Sequence, residues 1–326
     1  CNGASFLLSA IIQETSGMSA AEFAEAYLIG PLGISDIVWP DNAQGITIGW
    51  GELRMRPHDM AKIGYLYLNN GSWDGQQIIP ADWVADSTGK QIAATFTSGY
   101  GYQWWVSSDG VYMAMGLAGQ YIIVAPELDL VVVFTSNLRG DESTVPYSLL
   151  YDFVIPAAKE PIAMAPNPAG VQLLESKLRE VALTQTEPEP APSLSQTAER
   201  ITGKNYTLDP NPVGLLSIAL TFQEKTEALL SWTASTDPPD RQAGNQVDWP
   251  IGLDNVYRFT PGPYGLPMGL RGRWVSEDAF VIYIDYIANT GKTEIRCDFE
   301  GDDLTMKITD LYPPQDYQSF TGKLED

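Results

Sequence analysis

The sequence predicts an α+β domain, an antiparallel sheet with flanking helices, followed by a separate all-β barrel. Three observations carry this. Helix-period apolar patterns occupy the first hundred residues and then give way to strand-period ones. A Pro/Glu-rich stretch, TEPEPAPS at 186–193, interrupts the chain. Beyond it, short alternating segments recur every 8–12 residues, separated by turn clusters. A chain of 326 residues also exceeds one ordinary domain of about 100–200 residues.

The elements follow in order. Leu7, Leu8, Ile11 and Ile12 share one face of a helix over 3–16, and Gly17 is a fitting stop. Ser19 and Glu22 spell a capping box, with Met18 and Phe23 as its staple, for a helix ending near Gly30-Pro31. Residues 31–56 read as loop with short strands. Pro57 opens a third helix carrying Met60, Ile63, Leu66 and Leu68, which closes at Asn69-Asn70-Gly71. A short helix follows Pro80. Segments 100–106, 111–116, 120–125 and 129–136 read as antiparallel strands, and a helix over 143–155 packs on them. The reading gives a first domain over 1–160, a helix (168–183) and linker over 161–197, and a barrel over 198–326. The barrel has eight strand candidates near 199–207, 214–222, 226–234, 254–260, 269–276, 279–288, 292–299 and 303–310. Phe280, Ile282, Ile284 and Tyr286 alternate most clearly.

Composition excludes several function classes. A net charge of −22 repels phosphate backbones and anionic lipid heads, so nucleic-acid and electrostatic membrane binding are not expected. No apolar run approaches the roughly 18 residues of a membrane span. Two distant cysteines, Cys1 and Cys297, and a single histidine, His58, make no usual structural zinc site, and neither a metal nor another cofactor is expected. A disulfide between those cysteines is disfavoured. His58, at a helix N-terminus, reads as a capping or solvent-facing residue rather than a catalytic one. There is no Gly-x-Ser-x-Gly elbow, and no serine is expected three residues before a lysine.

Three ordered passages resemble the β-lactamase-related serine hydrolases, the superfamily of class C β-lactamases, DD-peptidases, related esterases and 6-aminohexanoate-dimer hydrolases. They are NGASFLLSAIIQETSGMSAAEFAEAYLIGPLGISDIVW, RMRPHDMAKIGYLYLNNGSWDGQQIIPADWV, and SGYGYQWW with MGLAGQYIIVAPELDLVVVFTSN. The resemblance implies an acyl-enzyme mechanism. A Ser-x-x-Lys serine attacks a carbonyl, the lysine and a Tyr-x-Asn tyrosine move protons, and water releases the acyl group.

Carried over by residue, Cys1-Asn2 fits the last two positions of Tyr-x-Asn. Asn2 then turns its amide to a substrate carbonyl, or simply caps the helix. The start at Cys1 reads as a truncation or processing product more readily than as a lipidated N-terminus. Gly116-Leu117-Ala118-Gly119-Gln120 occupies the place of the third motif, Lys-Thr-Gly, but lacks its cation. That shifts expectation from β-lactams towards an ester, amide or peptide substrate. The Gly119 or Gln120 N–H is the expected oxyanion donor, unless these are ordinary turn residues. Trp50, Tyr100, Tyr102, Trp104 and Trp105 line a substrate pocket or pack a core.

The resemblance implies a periplasmic or extracellular bacterial hydrolase, inactive in this chain alone, with a companion N-terminal fragment or homo-oligomer over the Leu7/Ile11 face. The competing reading is a non-catalytic protein that binds cell-wall peptides or small ligands. The barrel is similar in outline to the lipocalin-like barrels appended to some superfamily members. Its Trp249, Tyr257, Phe259, Tyr264 and Trp274 line a ligand mouth or fill the interior.

Overall fold

The computed structural model describes residues 1–138, 142, 144–159, 166–182, 187–190, 193–224, 226–235, 247–262, 265–312 and 314–325. Two compact units divide the chain, Cys1–Ala165 and Pro166–Asp326.

In the first unit, α1 spans Asn2–Ser16 and α2 spans Ala20–Ala24 before passing into a π-helical turn, Glu25–Ile29. The capping box forms: Ser19 Oγ accepts from the Glu22 N–H, and the Glu22 carboxylate accepts from the Ser19 N–H. α3 covers Pro57–Leu68 and α4 covers Ala81–Thr88, with a two-stranded ribbon, β1 (Ser72–Trp73) and β2 (Gln76–Gln77), between them. The main sheet is an antiparallel meander of β3 (Gly99–Tyr100), β4 (Trp105–Val106), β5 (Tyr112–Gly116), β6 (Gln120–Ala125) and β7 (Leu130–Phe134).

Side-chain alternation gives this sheet two buried faces. Tyr112 and Val124 join Trp104 and the Tyr67–Leu68 end of α3 on one face. Met113, Tyr121 and Ile123 face Leu150 and Ile155 on the other. The latter two belong to a helical run of α5 (Val145–Leu149), a π turn and α6 (Ile155–Ala158).

The second unit begins with α7 (Pro168–Ala182) and α8 (Gln196–Ile201). Strands follow as β8 (Asn205–Leu208), β9 (Leu215–Glu224), β10 (Glu227–Ala234), β11 (Val247–Gly252), β12 (Arg258–Pro261) and β13 (Pro267–Trp274). The last are β14 (Ala279–Tyr286), β15 (Lys292–Glu300), β16 (Asp303–Tyr312), β17 (Pro314–Asp316) and β18 (Phe320–Leu324). Nine of these close a barrel in the order β11-β10-β9-β8-β18-β16-β15-β14-β13, returning to β11. Inward residues such as Phe280, Ile282, Ile284, Ile295, Cys297, Met306 and Ile308 fill it with a single core. Cys297 is wholly buried, which pushes its thiol up to about 12, and both cysteines are free. Among the described residues no helix is long and apolar enough to cross a membrane.

The strand expectations need correction at several places, and β17 and β18 were not expected at all. The predicted strand 199–207 is split, because Ser195 Oγ caps the Ala198 N–H and starts α8 instead. The strand expected at 254–260 forms only from Arg258 to Pro261, after a corner. β11 went unseen because Pro250 argues against a central strand; it is tolerated because beyond β10 only Gly252 of this strand pairs, with Arg271.

That last joint is a seam one pair wide, and an ionic clasp lies across it. Arg258 on β12 bonds both Asp254 oxygens at 3.1 Å and reaches Glu227 on β10 at 3.1 Å. Burial works to raise the Asp254 pKa, but the bonds from Arg258 and from the Val256 N–H outweigh it and hold it below the ordinary carboxylate range. A depressed folded pKa means the contribution is whole above about pH 4 and is lost as pH falls through the folded value. Asp254→Asn is therefore expected to lower barrel stability by about 1–2 kcal/mol at neutral pH. In urea melts the gap to wild type should close at acid pH. A gap equal at both pH values refutes the clasp.

Candidate functional site

An antiparallel meander places alternate turns at the same end of its sheet. The β3–β4 turn (101–104) and the β5–β6 turn (117–119) thus share one end of the first unit's sheet. α1 is tied to that end through Gln103. This residue adopts a left-handed φ of 70°, and its Nε2 donates to Ser5 Oγ at 3.0 Å. The Tyr100 hydroxyl donates to Gln103 Oε1 at 3.3 Å, and burial raises the Tyr100 pKa. Asn2 lies one turn before Ser5, exposed, as the first residue of α1. Cys1, not Asn2, occupies the cap position, without a side-chain cap bond.

The β5–β6 turn is built around two left-handed residues, Ala118 (φ 59°) and Gly119 (φ 89°). Ser136, just past β7, secures it: Ser136 Oγ lies 3.0 Å from the Ala118 carbonyl oxygen and 2.8 Å from that of Gly119, sharing one proton between them. The Leu138 N–H adds a bond to the Ala118 carbonyl at 3.0 Å. Gln120 Nε2 donates to the Ser136 carbonyl. Leu117 stands out at the tip, 66% exposed, and Gly116 is exposed beside it, whereas Ala118 and Gly119 are buried.

A groove of about 240 Å³ runs beside α1, walled by Leu8, Ile12, Phe23, Tyr27, Trp39 and Gln103. Gly49 forms part of its floor. The loop approaches α1 so closely there that a Cβ would sit 2.2 Å from Ser9 Oγ and 2.7 Å from the Ser5 carbonyl. Trp39 Nε1 holds the same loop through the Ile48 and Gly51 carbonyls, and leaves Trp50 exposed next to it.

The expected aromatic set divides. Tyr100 and Trp105 meet edge to face at 4.8 Å on the half-buried side, and Tyr102 stacks on Trp83 at 5.4 Å on the surface. Trp104 is corrected from a pocket residue to a core residue: it points to the opposite face, 5% exposed, against Tyr67 and Tyr112. In the barrel, Trp249 and Trp274 pack into the core, Tyr257 stacks on Arg271, and Phe259 is exposed. Tyr264 lies outside the described residues.

A serine does precede a lysine by three: Ser87-Thr88-Gly89-Lys90. This corrects the expectation that the spacing is missing, yet the geometry disqualifies it as a nucleophile. Ser87 sits in the last turn of α4, 1% exposed, with its hydroxyl donated to the Val84 carbonyl at 3.2 Å. Gly101 and the Tyr102 N–H close over its carbonyl. His58 is exposed on the first turn of α3. Among the described residues no cluster of histidine, cysteine and carboxylate side chains is arranged to hold a metal. Sequence reasoning missed Ser5, Gln103 and Ser136, because each acts through a tertiary contact that no local spacing encodes.

Residues 1–152 match the Beta-lactamase family. The 6-aminohexanoate-dimer hydrolase of Paenarthrobacter ureafaciens is 25% identical over 150 residues, which are 42% of this chain and 38% of that protein. The chain thus spans well under half the length of that curated relative. The octameric penicillin-binding protein homologue from Pyrococcus abyssi overlays 99% of this chain and 64% of its own, at 14% identity and a TM-score of 0.41. The fatty acid binding protein of Schistosoma mansoni, solved with arachidonic acid, covers 40% of this chain and 99% of its own, at 8% identity and a TM-score of 0.31.

Proposed function

We propose, from the match of residues 1–152 to the Beta-lactamase family, that this chain supplies the substrate-polarising part of an acyl-transferring serine hydrolase for an ester or amide, and that it does not turn over alone. The fixed β5–β6 turn carries this reading. In a trans peptide the carbonyl and the following N–H point in opposite directions. Ser136 and Leu138 draw the Ala118 carbonyl to one side, so the Gly119 N–H is aimed to the other, while Gln120 pairs with Gly116 in the β5–β6 ladder. Such a preset donor is what a developing oxyanion requires. Asn2 stands on the helix that Gln103 ties to the same sheet end, where its amide can position the substrate carbonyl. Trp50, Tyr100, Trp105, Gly116 and Leu117 are accessible for the rest of the substrate.

The nucleophile is assigned outside residues 1–326, because Ser87 is sealed. The exposed Leu7, Leu8 and Ile11 on α1 form the face that the nucleophile-bearing segment covers. A fluorophosphonate probe is expected to leave residues 1–326 unlabelled, and to label a protein extended upstream through a Ser-x-x-Lys segment. A labelled serine within 1–326 overturns the assignment of the nucleophile. An extended protein that takes no label overturns the hydrolase reading.

A further inference from the structure

The barrel wall carries an unbalanced pair of cations. Along its strands Arg258, Lys292, Arg296, Lys307 and Lys323 each hold a carboxylate at 2.7–3.7 Å. Arg271 and Arg273, two residues apart on β13, make no ion pair with a described residue. With 41 acidic residues against 19 basic ones, carboxylates are plentiful in this chain, so two neighbouring cations without one need a reason.

Strand alternation puts both on the outer face. Met268 and Leu270 belong to the core, so Arg271 and Arg273 point away from it. Both guanidinium groups converge on one ring of β14. Tyr283 pairs with Arg271 in register, and its ring centre lies 5.4 Å from Arg271 Cζ and 5.8 Å from Arg273 Cζ. Its hydroxyl accepts from Arg273 at 3.3 Å. The Tyr257 ring covers Arg271 at 4.9 Å, and Asn255 fixes it through its backbone and side-chain oxygens. Arg271 Nε is left buried without a partner. A ring face attracts each cation, but it does nothing for the repulsion between the two. An anion set between two such forks removes that repulsion and takes charge-assisted bonds from both.

The chain itself supplies no such anion. Asp285, opposite Gly269 on β14, is engaged by Lys292 at 3.1 Å, and Glu294, opposite Tyr283 on β15, pairs with neither arginine. The surroundings also specify the body of the ligand. Gly269 is the next residue of β13 on this face, and Phe259 and Tyr257 close over it: a Cβ there would lie 3.2 Å from each. Rings therefore run from Tyr283 past Arg271 to Phe259, a surface suited to a flat apolar group.

We propose that this outer face of the second unit binds an organic carboxylate with an aromatic body, its charge held by Arg271 and Arg273. The site is independent of the hydrolase reading of the first unit, and the filled barrel interior plays no part in it.

Calorimetric titration of residues 1–326 with N-acetylphenylalanine, which has both features, is expected to show saturable binding that weakens as salt is raised. N-acetylphenylalanine amide, the same body without the charge, should not bind. Arg273→Gln should weaken binding of the acid by about ten-fold or more and leave the barrel unfolding midpoint unchanged, since its bond to Tyr283 lies outside the core. Arg273→Lys keeps the charge but loses the fork, and should fall between the two. Absence of saturable binding of the acid overturns the proposal. So does an amide that binds as tightly as the acid, or an Arg273→Gln chain that binds as tightly as wild type. Inorganic phosphate bound as tightly as the acid marks a general anion patch and overturns the assignment to a carboxylate.

Discussion

Phe280→Ala is expected to destabilise the barrel by about 3–5 kcal/mol, the largest effect of any single substitution foreseen in this chain. The ring is wholly buried, 5.2 Å from Trp274 and 5.5 Å from Phe222, and it lies directly on Gly272. Its removal leaves a hole that the surroundings cannot collapse into. β13 pairs with β14 from Met268↔Tyr286 to Trp274↔Phe280, and β14 with β15 from Ala279↔Asp298 to Asp285↔Lys292, so both ladders hold the walls apart. Hydrogen exchange resolved by peptide tells the two units apart. Protection should fall across the strands of Pro166–Asp326 and persist in the sheet of Cys1–Ala165. A loss below about 1 kcal/mol would mean that the barrel interior repacks freely, contrary to the ring cluster described.

Gly119→Ala is expected to destabilise the first unit by about 2–4 kcal/mol. Two costs combine. A φ of 89° is a left-handed conformation that an alanine resists, and its Cβ would sit 2.3 Å from Ser136 Oγ. Ser136→Ala alone should cost about 1–2 kcal/mol through the lost turn bonds. In the double variant the overlap with Oγ disappears while the backbone strain remains, so the two losses should sum to less than their separate values. Strict additivity in urea melts would show that Ser136 does not hold the turn as described.

Legibility in the sequence followed the range of the interaction. Ser19 and Glu22, three residues apart, announced their capping box in full, and the periodicity of Phe280, Ile282 and Ile284 announced a strand with one buried face. The family was legible in its ordered passages: residues 1–152 match the Beta-lactamase family. What failed was long range or ambiguous. Gln103 and Ser5 are 98 residues apart and bonded. Nothing local marks either one. Trp104 and Trp105 are adjacent and indistinguishable by type, and strand alternation sends them to opposite faces. Ser87 and Lys90 have the motif's spacing, contrary to expectation, but a helix end has already taken the hydroxyl. β11 hid behind a proline that only its thinly paired side could admit.

The corner that closes the barrel has one more attachment. Glu189, in the Pro/Glu-rich stretch, donates its backbone N–H to the Asp254 carbonyl at 2.9 Å, and its carboxylate accepts from Asn255 Nδ2 at 2.7 Å. The incoming chain is thereby moored to the hinge between β11 and β12, next to Arg258 and its carboxylates, before it enters α8. The stretch leading into α8 and the clasp across the barrel seam therefore share Asp254, whose carbonyl holds the one and whose carboxylate holds the other.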